Sequence, residues 1–137
     1  PENKEAYAAH IQAGNWKKVP FLLREKGSGT RTMMERFFHD RDIHVESNLE
    51  LATNEAVKQA VMAGLGASLL SNFSMAQELK EDRISLLELP ELPLKADWKL
   101  IWLKQKKHSP AVKAFIRWLS ENRKEVLSRH FPTLETL

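Results

Sequence analysis

The segment Glu25-Lys26-Gly27-Ser28-Gly29-Thr30-Arg31 gathers two glycines, two hydroxyls and an arginine. An apolar run, Phe21 to Leu23, precedes it and suits a buried strand. Met33, Met34, Phe37 and Phe38 follow as two i,i+4 pairs, which predict an amphipathic helix. A strand, a glycine turn and a helix start make a seat for an anion. The first N–H groups of a helix have no internal partner, and the helix dipole is positive there. Gly27 and Gly29 let the backbone turn and let a ligand approach closely. Ser28 and Thr30 add hydroxyl donors, and Arg31 adds a cation whose hydrogen bond to an anion is worth about 1.5–3 kcal/mol.

Structural roles compete for the same residues. Ser28 or Thr30 can serve only as a helix cap, and Thr32 with Glu35 offers a second capping box further on. Arg31 is placed to pair with Glu35 at i,i+4. The segment lacks the P-loop spacing, and Ser28 lacks the frame of a nucleophile elbow.

The elements that must hold this segment alternate between the two hydrophobic periods. Tyr7, Ile11 and Trp16 are expected to line a short helix ended by Gly14-Asn15, and Pro20 introduces the first strand. Val45 to Leu51 alternates as a half-covered strand and leads into Thr53-Asn54, a second strand-to-helix junction. Ala56, Val57, Ala60 and Val61 form the face of the next helix, which Gly64 stops. Ala67 to Leu70 reads as a buried strand, followed by a helix with a Ser74/Gln77 capping box. Ile84 to Leu89 and Trp98 to Leu103 read as two further strands. Ser109-Pro110 opens the last helix, with Val112, Phe115, Ile116, Leu119, Val126 and Leu127 on its apolar face. Strands alternating with helices predict an α/β layer fold with a mainly parallel sheet flanked by helices. In such a sheet ligands bind at the carboxyl ends of the strands, where the Ser28–Thr30 and Thr53-Asn54 junctions would face one crevice.

Composition narrows the function classes. The 137 residues suit one domain with a real core, and 21 basic against 18 acidic residues leave a small positive charge. The charges are interspersed, which favours solubility over a dedicated nucleic-acid surface. Without cysteine there is no disulfide, thiolate metal site or cysteine catalysis. No long apolar run is present, and the chain opens on Pro1 in polar sequence, as a piece of a longer protein would. His39, Asp40, Asp42 and His44 cluster, but a charged turn explains them without a metal. The basic stretch Lys104 to His108 reads as a solvated loop, and Trp98 and Trp102 as packing residues. No cofactor is expected, and no acid–base pair that would make the chain an enzyme can be argued.

Three stretches in order resemble the effector-binding domain of LysR-type transcriptional regulators. They are residues 21 to 31, residues 49 to 71 (LELATNEAVKQAVMAGLGASLLS) and residues 108 to 119 (HSPAVKAFIRWL). Within that family the wording is closest to regulators of carbon fixation and related inorganic-nutrient metabolism. The resemblance implies a fold like one lobe of a type 2 periplasmic solute-binding protein. Residues 1–97 would form the second lobe, and residues 98–137 a return strand and helix belonging with an otherwise absent first lobe. Family effectors sit between the lobes, which implies contacts from Ser28, Gly29, Thr30 and Arg31 with Thr53 and Asn54 opposite. The partners implied are a small anionic metabolite and further copies of the chain, as a dimer or tetramer. DNA would be reached only through a helix-turn-helix absent from this sequence, in a cytoplasmic protein with no membrane contact. A transporter's solute-binding fragment would use the same lobe physics.

Overall fold

The computed structural model describes residues 3–90, 92–95 and 99–130. It divides into two compact units, Pro1–Pro90 and Glu91–Leu137. The first unit runs α1 (Lys4–Gln12), a short 3-10 turn (Trp16–Lys18), β1 (Phe21–Arg24), α2 (Gly29–His39), β2 (Ser47–Leu51), α3 (Asn54–Met62) and α4 (Asn72–Lys80). In the second unit the described regular element is α5 (Pro110–His130).

β1 is the axis of the first unit. It pairs with β2 in parallel, and the register sets Leu22 against Leu49, Leu23 against Glu50 and Arg24 against Leu51. Its other edge meets Ala67 in a single parallel bridge. There the Leu22 N–H donates to the Ala67 carbonyl at 2.9 Å, the Ala67 N–H to the Pro20 carbonyl at 2.9 Å, and the Ser68 hydroxyl to the Leu22 carbonyl at 2.8 Å. This crossing explains Gly66: a Cβ there would stand 2.1 Å from the Pro20 carbonyl oxygen.

Alternation along a strand sends successive side chains to opposite faces, and β1 buries both. Leu22, 1% exposed, packs with Val57 and Ala60 of α3 and with Leu51, Val61 and Leu70. Phe21 turns to the other side, where its ring lies 4.9 Å from that of Phe38 and 6.3 Å from that of Trp16. Phe37 and Met34 of α2 are buried as well. Helices therefore cover both faces of β1, which explains why it reads as a continuous apolar run. Burying a side chain such as Leu22 contributes about 1.5–3 kcal/mol.

The helix ends follow their sequence signals. Gly64, at φ +77, turns the chain out of α3. Its N–H donates to Val61 and that of Leu65 to Ala60, the double bond of a Schellman closure. Ser109 caps α5, its hydroxyl accepting the Val112 N–H at 3.4 Å, with Pro110 at the first helical position. α4 starts earlier than the Ser74/Gln77 box suggests. Ser71 stands at the cap position and Ser74 lies inside the helix, its hydroxyl donating to the Ser71 carbonyl at 2.7 Å.

Three strand expectations need correction. Ala67 to Leu70 shrinks to the one bridge at Ala67. Ile84 is buried, but 85–89 run irregularly. Residues 99–103 are also irregular, with Ile101 86% exposed and Trp102 half-exposed beside His108. Trp98 lies outside the described residues. An extended apolar run needs a sheet neighbour to become a strand. The described residues of the second unit offer none.

Candidate effector site

The parallel pairing of β1 and β2 brings two strand-to-helix junctions side by side. β1 runs out at Arg24 and feeds α2; β2 runs out at Leu51 and feeds α3. Arg24 and Leu51 are register partners, and the Glu25 N–H still donates to the Leu51 carbonyl at 3.1 Å. The two helix starts are thus neighbours at one end of the pair.

At the first junction the Ser28 N–H donates to the Glu25 carbonyl at 3.2 Å, closing a turn that passes through Gly27 at φ +93. That angle is one a side chain resists. Ser28 is the cap residue of α2, yet its side chain makes no capping hydrogen bond. Ser28 and Thr30 are half-buried and Gly29 is exposed. The competing capping box is absent: the Thr32 hydroxyl donates back to the Ser28 carbonyl at 3.1 Å, and Glu35 pairs with Arg31. The second junction is closed by its own side chain. The Ala56 N–H donates to the Thr53 hydroxyl at 3.0 Å, the bond of an N-cap.

Two arginines organise the space between the junctions. Arg31 donates through Nε to Glu35 at 2.7 Å and through Nη1 to the Arg24 carbonyl at 3.0 Å and to Glu50. Its two carboxylates, Glu35 first, raise its pKa and fix its charge. A ligand contact through Nε or Nη1 of Arg31 must therefore compete with Glu35 or Glu50. Arg24 was not singled out by sequence reasoning, although it lies in the same motif. Its Nε and Nη2 donate to the two carboxylate oxygens of Glu25 at 2.7 and 2.8 Å. Its Nη1 donates to the Asn54 side-chain oxygen and its Nη2 to the Ala52 carbonyl at 3.3 Å. The hydrogen bond from Arg24 holds the Glu25 carboxyl below its usual range, against the effect of burial. Alternation along β1 puts Arg24 on the Leu22 side of the strand, toward α3. That spacing was the available signal, but a contact spanning from Arg24 to Asn54 is invisible without the strand register.

Of the six expected site residues, Ser28, Gly29, Thr30 and Arg31 lie in one turn and helix start, and Thr53 and Asn54 in the adjoining one. Asn54 is held by Arg24, and Thr53 is occupied as a cap. No group of three side chains able to hold a metal occurs among the described residues. No described helix is long and apolar enough to cross a membrane.

Comparisons with known proteins give the family and the fold. The model of the LysR substrate binding domain matches residues 5–124. The RuBisCO operon transcriptional regulator of Acidithiobacillus ferrooxidans is 38% identical over 80% of this chain and 35% of its own length. The HTH-type transcriptional regulator CfxR of Cupriavidus necator is 40% identical over 81% of this chain and 35% of its own. The chain thus spans about a third of the length of these relatives. The regulatory domain of Synechocystis CcmR, solved in complex with 2-PG, superposes with a TM-score of 0.71 at 35% identity. That match covers 77% of this chain and 51% of the CcmR domain chain. The chain belongs to the LysR substrate-binding domain family.

Proposed function

We propose that this chain is the effector-sensing part of a LysR-type transcriptional regulator, a binding domain rather than an enzyme. Its effector is a small organic or phosphorylated anion held at the paired junctions. Ser28, Gly29 and Thr30 supply hydroxyls and helix-start amides. Arg31, Thr53 and Asn54 complete the rim. The observation that carries this reading is the adjacency of two helix starts of which one, at Ser28, is left without a side-chain cap. The 2-PG complex of the CcmR regulatory domain supports the choice of ligand class. Residues 1–97 correspond in this reading to the second lobe and 98–137 to the return segment. The compact-unit boundary at Pro90 falls a few residues earlier.

In the whole regulator, DNA contact belongs to an N-terminal helix-turn-helix, and the protein works in the cytoplasm as a dimer or tetramer. Effector binding acts by favouring one arrangement of lobes or subunits, through its different affinity for each. A transporter origin fits the lobe physics equally, but the relatives are transcriptional regulators. The test is calorimetric titration of 2-phosphoglycolate into the chain and into Thr30→Leu. Thr30 is half-buried at the first turn of α2 and is not among the core residues. Binding by the parent with at least a tenfold loss in Thr30→Leu, at unchanged melting temperature, is the expected result. Equal affinities would remove Thr30 from the site.

A further inference from the structure

The Arg24–Glu25 pair has the form of a site already filled by a substitute. An arginine fork binds a carboxylate or phosphate through two parallel N–H bonds. The Arg24 fork, its Nε and Nη2, is occupied in that manner by the Glu25 carboxylate. The two members differ in how firmly they are held. The Arg24 side chain is 15% exposed and anchored independently of Glu25, through Nη1 to Asn54 and through Nη2 to the Ala52 carbonyl. The Glu25 side chain is 40% exposed, and Arg24 is its only side-chain partner among the described residues. Exposed ion pairs between flexible side chains exchange readily with solvent. Glu25 can leave while Arg24 stays, and the fork is then open beside Asn54, the first residue of α3. The second arginine is less suited to such an exchange, since two carboxylates from different elements and a main-chain bond hold it.

We propose that Arg24 is the cation that takes the anionic group of the effector, and that Glu25 is an internal competitor which the effector displaces. This rests on the functional reading above and adds to it a residue and a mode of regulation. The Glu25 carboxylate lowers apparent affinity by keeping the binding-competent fork partly occupied, so affinity is set by how often the pair is open. A ligand with one compact carboxylate or phosphate head fits the exchange, because it restores the bidentate geometry that Glu25 gives up.

The experiment is titration of 2-phosphoglycolate into the full chain, Glu25→Gln, Arg24→Lys and the double variant, at fixed ionic strength. Glu46→Gln, an exposed carboxyl paired with neither arginine, serves as a charge control and thermal melts as a check of folding. The expected result is that Glu25→Gln binds about tenfold tighter, within the usual coupling between neighbouring groups. Arg24→Lys binds at least as much weaker, and Glu25→Gln gives no gain once Arg24 is lysine. If Glu25→Gln binds no tighter than the parent, the competitor role is wrong while the functional reading stands. An equal gain from Glu46→Gln, or a gain that persists with lysine at position 24, shows a general charge effect and overturns the proposal. Absence of binding by the parent and by Glu25→Gln alike overturns the proposal together with the functional reading. Should Glu25→Gln melt early, Glu25→Ala replaces it and the same outcomes decide.

Discussion

The two junctions are built from the same kinds of residue, yet the fold finishes them differently. At α3 the threonine hydroxyl turns back onto its own helix and accepts the Ala56 N–H. At α2 the serine hydroxyl makes no such bond, and the turn before it carries an arginine–glutamate pair. One junction is complete in itself, and the other leaves donors for something else. A hydroxyl before a helix is therefore not a functional signal until its own hydrogen bond is known.

Single substitutions test this contrast. The largest effect is expected where both junctions share a support. Leu22→Ala empties the packing between β1 and α3 and should cost about 2–5 kcal/mol in denaturant unfolding. It should lower stability and ligand affinity together, erasing the difference between the junctions. Thr53→Ala removes a formed cap and should cost about 1 kcal/mol of stability by the same measurement, with a smaller change in affinity. Ser28→Ala should reverse that pattern. Its stability should stay within about 0.5 kcal/mol, while 2-phosphoglycolate binds roughly threefold to tenfold more weakly through the loss of one neutral hydrogen bond. If Ser28→Ala instead destabilises as much as Thr53→Ala, the serine is a cap in solution and the contrast fails.

Acid should act last and diffusely. Glu25, Glu55 and Glu78 are each held below the ordinary carboxylate value of 4.5, chiefly by hydrogen bonds from Arg24 and Lys58. A carboxyl depressed in the folded state contributes stability above that value and loses it as pH falls through the lowered one. Unfolding followed by circular dichroism should thus be flat above pH 4.5 and fall below it. Glu78→Gln, which leaves Lys58 bound to Glu55, should flatten part of the fall. Lys58, raised above 10.5 by the same pairs, contributes fully below that pH and loses its share only in stronger alkali.

How legible the molecule is from its sequence varies with the range of the interactions. The helix of Gly29–His39, the strand at Phe21 and the closure at Gly64 follow from neighbours close in the chain. The same holds for the cap at Ser109. The failures are strands, because pairing depends on partners that local pattern does not name. Residues 99–103 carry a strand's composition, but no described neighbour in their unit pairs with them. The site shows the same division. Ser28, Gly29 and Thr30 stand out as a turn. Whether Ser28 or Thr53 would spend its hydroxyl on a cap does not. Arg24 was missed because its significance depends on Asn54 and Ala52, which only the β1–β2 register brings beside it.

The pleat of β1 has a consequence for how this segment can vary. Phe21 and Leu23 serve one layer, Leu22 and Arg24 the other. Inserting or deleting a single residue between Phe21 and Arg24 would reverse the faces of the residues on one side of the change, sending either the Phe21 ring toward α3 or the guanidinium toward α2. Length changes in this region are consequently tolerable only beyond Arg24, in the glycine turn, where they would move the helix start without inverting the layers.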